Sequence, residues 1–305
     1  MVSTMTRLTA NVLLIIAALF WGAAFVAQST AMDSMAPLGF NGMRFLLAAI
    51  AVAPFAWIEW RKSTNRIPLT GIVKSVLVGV IFFIAMAVQQ YGFYTTSVTN
   101  AGFLTALYVV LTPIMGFILF RTLPNPFVWP IVILSLTGAY LLSGSLNAMK
   151  TGDILMIISA LFWALQIIFI GRLVKQYGNP ITVAWIQFLT TGIIGTVLGS
   201  IFEVIDLSSI SGAWIEIAYT GILSGGLSFT LQAIAQRHTP PSDAAIMLSS
   251  ESLFAALFGA LLLGERLTTI QMLGCAMIFS CILLVELMPQ IQKRLKRRNQ
   301  AKQPA

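Results

Sequence analysis

Charge is what this chain lacks. Only 9% of its 305 residues are Asp, Glu, Lys or Arg, where soluble domains carry about 25%. Hydrophobic residues make up 58%, and the mean hydropathy is +0.89. A soluble globule of this size keeps much of its surface wet, and the polar residues here are too few to cover one. The expected solvent is lipid. Histidine occurs once, at His238, and cysteine twice, at Cys275 and Cys281. There is no HExxH pair, no GxGxxG turn and no P-loop, which removes metal hydrolysis, dinucleotide chemistry and ATP-driven transport. No cofactor and no metal are expected. Acids other than Glu251 stand mostly near the ends of apolar runs, so an intramembrane enzyme would lack its nucleophile–base pair or paired carboxylates. The two cysteines share one run on different faces of a helix, cannot bridge locally and read as packing residues. The net charge of +8 could suit nucleic acid, but the bases are not set among surface aromatics. They fall between apolar runs and at the C-terminus, so no nucleic-acid partner is expected.

What is there in quantity is long apolar sequence. A helix needs about 20 apolar residues to cross a bilayer. Ten runs meet this, at about 10–28, 37–58, 71–93, 99–120, 127–145, 151–171, 181–203, 212–236, 242–264 and 268–288. They are separated by turn residues such as Pro37, Pro68, Pro124, Pro126, Pro180, Pro240 and Pro241. The first run exceeds the ~7–15 residues of a signal-peptide core, and a related run later in the chain argues that it belongs to the fold. With the N-terminus inside, one side collects Arg7, Arg61, Lys62, Arg66, Lys74, Arg121, Arg172, Lys175, Arg237 and the tail bases Lys293, Arg294, Lys296, Arg297, Arg298 and Lys302. The other side collects only Lys150 and Arg266. The positive-inside rule then places both termini in the cytoplasm, and a bacterial-type plasma membrane is expected. The basic tail can also meet anionic lipid heads.

The stretch AALFWGAA at 17–24 has a near twin, SALFWALQ, at 159–166. At one fixed offset Leu13 matches Leu155, Phe20 Phe162, Trp21 Trp163, Gly79 Gly221, and Gln90 Gln232. One residue further, Pro37 meets Pro180. Runs one to five thus correspond to runs six to ten. Five is odd, so the second half enters the membrane from the opposite side, as in many secondary transporters. The expected fold is an all-α membrane protein of ten transmembrane helices in two inverted five-helix repeats, residues 1–148 and 149–288, followed by a basic cytoplasmic tail, 289–305.

Here the chain resembles a known family. LFWGAAFV in the first helix, Pro37 followed by Met43-Arg44-Phe45 in the second, and LLLGERLT closing the ninth look like the drug/metabolite transporter superfamily, specifically its EamA-type exporters. The resemblance covers about residues 10–288. It implies export of small metabolites, often amino acids, through a central cavity lined by both halves. The sequence departs from the pattern where helix four ends, since LFRTLPNP carries no Gly-Glu, and this limits any role for Glu265 to the second half.

Polar side chains inside lipid usually face protein or a wet cavity. Trp21 and Gln28 share a face of helix one, and Trp163 and Gln166 a face of helix six. Gln90 lies with Met86 and Phe93 on helix three, and Gln232 repeats it on helix eight. Thr105, Tyr108 and Thr112 align before Pro113, and Ser249, Ser250, Glu251 and Ser252 stand near mid-span. Substrate contact is expected from Trp21, Gln28, Gln90, Tyr108, Trp163, Gln166, Gln232 and Glu251, although Gln, Ser and Thr also tie helices together. Such a cavity suits an amphiphilic or zwitterionic solute, and its aromatic walls favour an apolar or aromatic side chain. Arg44 and Glu251 are the charges within the runs. Arg44 can snorkel or bond carbonyls. Glu251 can pair with Arg44, hold a structural hydrogen bond, bind a substrate ammonium or carry a coupling proton. Trp57, Trp60 and Trp129 are interface anchors. Pro54, Pro113 and Gly225-Gly226 can bend helices. Gly138 and Gly144, or Gly259 and Gly264, lack GxxxG spacing, so a monomer or weak dimer is expected. The rival readings are a facilitative channel and a structural or sensory membrane protein. A channel would ordinarily show a charged ring or carbonyl filter, and a single-chain inverted repeat fits a carrier better. The partners expected are a small-molecule substrate and membrane lipids.

Overall fold

The computed structural model describes residues 5–64, 66–121, 125–143, 150–264 and 266–300, and among these every regular element is helical. Glu265 and Lys302 lie outside the described residues. The helices are α1 (Arg7–Thr30), α2 (Pro37–Lys62), α3 (Leu69–Gly92), α4 (Val98–Thr105), α5 (Tyr108–Phe120), α6 (Val128–Ser143), α7 (Thr151–Tyr177), α8 (Pro180–Phe202), α9 (Leu207–Gly212), α10 (Trp214–Ala218), α11 (Phe229–Gln236), α12 (Pro241–Leu248), α13 (Glu251–Leu263) and α14 (Thr269–Gln300).

Eight helical stretches are long and apolar enough to cross a membrane: Arg7–Asp33, Pro37–Lys62, Leu69–Gly92, Val98–Phe120, Thr151–Tyr177, Pro180–Phe202, Trp214–Gln236 and Pro241–Leu262. The expected fifth and tenth spans are instead the shorter apolar helices Val128–Leu141 and Thr269–Val285. The second of these is the apolar part of α14, which runs on to Gln300, and the first lies in α6, which ends at Ser143 where the described segment 125–143 ends. Among the described residues, eight stretches rather than ten meet the length and composition for crossing.

Three of these stretches are interrupted. The fourth is split into α4 and α5 at Ala106 and Leu107. Pro113 has no N–H to give Val109, and its ring crowds that carbonyl. The bonds Leu107 N to Leu104 O and Val109 N to Ala106 O tighten the chain locally. The eighth is split into α12 and α13 at Ser249 and Ser250. There Ser249, Ser250 and Ser252 each return a hydroxyl to the carbonyl three residues earlier, a competition with the helical ladder that bends helices. The seventh carries a π-helical segment, Tyr219–Ser228, between α10 and α11. It contains Gly225 and Gly226, which favour such a departure.

Helices α2 and α8 pack together as an antiparallel pair. Both begin on a proline, Pro37 and Pro180, whose missing N–H costs nothing at a helix start. Their backbones nearly touch. A Cβ on Gly195 would lie 2.7 Å from Gly42 N, and one on Gly199 would lie 2.8 Å from Gly39 N. Gly195 and Gly199 have the GxxxG spacing, which here brings two helices of one chain together. Each helix caps the start of the other. Glu203, just past α8, accepts Leu38 N at 3.0 Å and Gly39 N at 2.8 Å. Glu59, near the end of α2, accepts Ile181 N at 3.2 Å and Thr182 N at 2.7 Å. Helix starts carry partial positive charge and unpaired N–H groups, so a carboxylate satisfies both needs. Around this pair the other helices enclose a core rich in aromatic side chains, including Phe45, Phe82, Phe188 and Phe229.

Candidate functional site

A cavity of about 30 Å³ lies inside the bundle, room for one or two waters. Helix α1 contributes Trp21, Phe25 and Gln28, and α3 contributes Met86 and Gln89. Thr105 and Tyr108 come from the break between α4 and α5, Trp163 and Ile167 from α7, and Ser224 and Phe229 from the π-segment and α11. Glu251, the first residue of α13, completes it.

The indole nitrogens are committed. Trp21 Nε1 donates to Ser224 O at 3.1 Å, and Trp163 Nε1 donates to Gln89 Oε1 at 2.7 Å. Phe229 lies between the two indoles, 4.4 Å from Trp21 and stacked on Trp163 at 5.7 Å with 5° between planes. Phe82 meets Phe229 edge-on at 4.6 Å. The amides form a short relay in which Gln89 Nε2 donates to Gln28 Oε1 at 3.3 Å and Gln28 Nε2 to Ala24 O at 3.2 Å. Tyr108 and Glu251 are neighbours at the two helix breaks, buried to 3% and 5% exposure. The two side chains interact with each other, and neither Tyr108 Oη nor Glu251 Oε1 has a hydrogen-bond partner on any other described residue.

Of the expected contact residues, Trp21, Gln28, Tyr108, Trp163 and Glu251 meet around this cavity. Gln90, Gln166 and Gln232 stand behind its wall. Gln90 Nε2 donates to Gln28 O at 2.8 Å, Gln232 Nε2 to Gln166 Oε1 at 3.1 Å, and Gln166 Nε2 to Gln187 Oε1 at 3.3 Å. They tie helices together. Gln89, Ser224, Phe229 and Ile167 line the cavity without having been singled out from the sequence. Gly225-Gly226 pointed to the neighbourhood of Ser224, and Gln90 stands next to Gln89.

Two segments of the chain, residues 8–144 and 150–287, match the model of the EamA-like transporter family. The chain belongs to that family. An uncharacterized transporter of Archaeoglobus fulgidus is 31% identical, over 92% of this chain and 87% of its own length. The uncharacterized inner membrane transporter YedA of Escherichia coli K12 is 24% identical over 88% of each chain. A crystal structure 16% identical in sequence has a TM-score of 0.75, covering 95% of this chain and 99% of that one, so the fold is shared. The family and these relatives make this chain a membrane transporter rather than an enzyme.

In this EamA-like transporter Arg44 is turned away from the cavity. Its guanidinium donates to Asn41 Oδ1 at 2.6 Å and to Met86 Sδ at 2.9 Å, and lies 5.0 Å from the rings of Phe40 and Phe45. The one ion pair among the described residues is Arg7 with Asp243, at 2.7 Å, so an Arg44–Glu251 pair is not formed. Among those residues no group of three His, Cys, Asp or Glu could hold a metal.

The two ends of the transporter differ. At the end carrying Arg7, a larger vestibule of about 550 Å³ opens between α5, α7 and the start of α12, with Thr112, Arg172, Lys175 and Pro241 in its lining. Thr112 is one turn from Tyr108, and Ile168 in the vestibule follows Ile167 in the cavity. At the end carrying Thr30, polar bonds cross between helices. Thr30 donates to Glu216 at 3.2 Å, Tyr91 to Glu203 at 3.1 Å and Thr96 to Asp153 at 3.0 Å.

Proposed function

We propose that this EamA-like transporter is a secondary carrier that exports small metabolites, with amino acids first among them and hydrophobic or aromatic ones preferred. It works by alternating access at a cavity between two inverted repeats, with both termini in the cytoplasm of a bacterial-type plasma membrane. The observation that carries this reading is the composition of the cavity, whose wall takes Trp21, Gln89 and Tyr108 from one matched segment and Trp163, Phe229 and Glu251 from the other. A site held by two similar halves can face each side in turn as the halves rock.

Several correspondences support the inverted arrangement. Trp21 reaches from α1 to the π-segment, and its sequence partner Trp163 reaches from α7 to α3. Glu203 caps α2 as Glu59 caps α8. Helix breaks stand at Tyr108 in one segment and at Glu251 in the other, and interrupted helices at matching positions are a mark of carrier sites. Basic residues gathered at the Arg7 end support its cytoplasmic placement. The vestibule there would be the entrance for export.

Counterflow in proteoliposomes tests the reading. Purified full-length protein is preloaded with an unlabelled amino acid or other metabolite, and entry of trace labelled solute is followed. Saturable accumulation against the gradient is expected for at least one class of a broad panel. Flux without counterflow would mean a channel, and no flux for any class would remove the carrier assignment.

A further inference from the structure

Resting on the carrier reading above, the geometry points to a site that recognises the ammonium end of its substrate and holds no fixed cation among its described lining residues to meet a carboxylate, so its preferred ligand is a monocationic organic amine with an apolar or aromatic body. Glu251 supplies the only carboxylate among the described residues of the cavity wall; its side chain and the Tyr108 hydroxyl face each other, and neither Oε1 nor Oη has a partner on any other residue described. Buried polar groups left without partners cost free energy. A ligand N–H that reaches both oxygens removes that cost and forms charge-assisted bonds. The rings of Trp21, Trp163 and Phe229 line the same space, which holds only one or two waters in this closed arrangement; as the rocking halves widen it, rings now packed on one another give a cation and an apolar body their contact.

An anionic group finds nothing comparable. Among the described residues no Lys, Arg or His lines the cavity. Arg44, the nearest candidate by sequence, is absent from the cavity lining; its Nη2 bonds Asn41 and Met86, its guanidinium lies against two phenyl rings, and its Nε is unpartnered behind the wall. Both indole N–H groups are already donated, to Ser224 O and Gln89 Oε1, and Gln28 and Gln89 each donate within the amide relay. A carboxylate entering here would meet only neutral donors, the Tyr108 hydroxyl and the second N–H of Gln28 and Gln89, and no opposite charge to replace its lost water. The zwitterionic amino acid of the broader reading is therefore held by its amino group, and its decarboxylated or esterified form binds more tightly.

The test uses full-length protein in lipid nanodiscs, titrated by tryptophan fluorescence with four probes sharing one aryl body. These are 2-phenylethylamine, phenylalanine methyl ester, phenylalanine and 3-phenylpropanoate. The two cations are expected to bind roughly tenfold tighter than phenylalanine, and the anion to give no saturable change. Glu251→Gln should weaken the cations by about tenfold, Glu251→Asp should restore part of that loss, and Tyr108→Phe should weaken them less. Equal or tighter binding of phenylalanine or 3-phenylpropanoate overturns the proposal, as does undiminished cation binding in Glu251→Gln. If Glu251→Gln does not fold, the charge series on the unaltered protein and Tyr108→Phe decide alone. Counterflow of phenylalanine with no binding of the amine sinks this inference and leaves the carrier standing. Binding of the amine with no counterflow of any solute does the reverse.

Discussion

Gln89 and Gln90 are adjacent, yet about 100° of helix rotation separates them, and that step divides two jobs. Gln89 receives the Trp163 indole and faces the cavity, while Gln90 reaches the backbone of α1. Gln90→Ala and Gln232→Ala are therefore expected to lower stability by about 0.6–2 kcal/mol, the usual range for interhelical side-chain bonds in membranes. Thermal unfolding in detergent would register this while substrate affinity held. Gln89→Ala should instead raise the half-saturation concentration for transport. A reversed pattern would mean that Gln90 is the one in contact with substrate. The sequence made the two tryptophans legible because Phe-Trp recurs within apolar runs, but it could not tell Gln89 from Gln90. A membrane helix that is apolar all round gives no wet face against which to set its rotation.

The interruptions and close approaches at the level of whole helices were legible to different degrees. Pro113 and Gly225-Gly226 marked two disturbed helices in advance. The Ser249–Ser252 break was visible only as a polar patch, because serine both fits a helix and competes with it. Sequence spacing draws attention to Gly138 and Gly259, whereas one close backbone crossing is made by Gly195 and Gly199 on Gly39 and Gly42. That meeting depends on tertiary placement, which spacing alone does not fix. Gly195→Leu should force α2 and α8 apart and cost about 1–3 kcal/mol, read as a lower unfolding midpoint with membrane insertion retained. An unchanged midpoint would mean that the pair tolerates a wider spacing. The short helix α9 carries its own pH response. Asp206 caps it by accepting Ser209 N at 2.7 Å, and this bond holds the carboxyl below its ordinary range. A lowered folded value means the cap is fully present above the ordinary carboxylate range and is lost as pH falls through the folded value. Amide exchange in α9 should accelerate only in acid, and Asp206→Ala should make it fast at every pH.

Across the whole molecule, access depends on which end is held shut. Polar bonds join helices at both ends: Thr30, Tyr91 and Thr96 reach Glu216, Glu203 and Asp153 at one, while at the other Glu59 holds the start of α8 and the Arg7–Asp243 ion pair stands at the end that opens on the vestibule. Arg7→Ala should increase labelling of a cysteine placed at Ser242 in the vestibule wall, and the exchanged pair Arg7→Asp with Asp243→Arg should reverse that increase. Failure of the exchange to restore protection would show that the pair does not govern this end. The helical, lipid-embedded character and the twofold recurrence could be read from composition and the Trp21–Trp163 match. The count of spans was less legible, because the apolar parts of runs five and ten, Val128–Leu141 and Thr269–Val285, are shorter than those of the other eight. The reciprocal caps also bear on biogenesis. The amides of Leu38 and Gly39 are met by Glu203, which lies 165 and 164 positions downstream. A nascent chain that has delivered only its first half to the membrane thus holds α2 with two unsatisfied amides. Those amides must wait on translation of the second half, so a truncated first half should be a substrate for quality-control proteolysis, and its co-synthesised complement should rescue it.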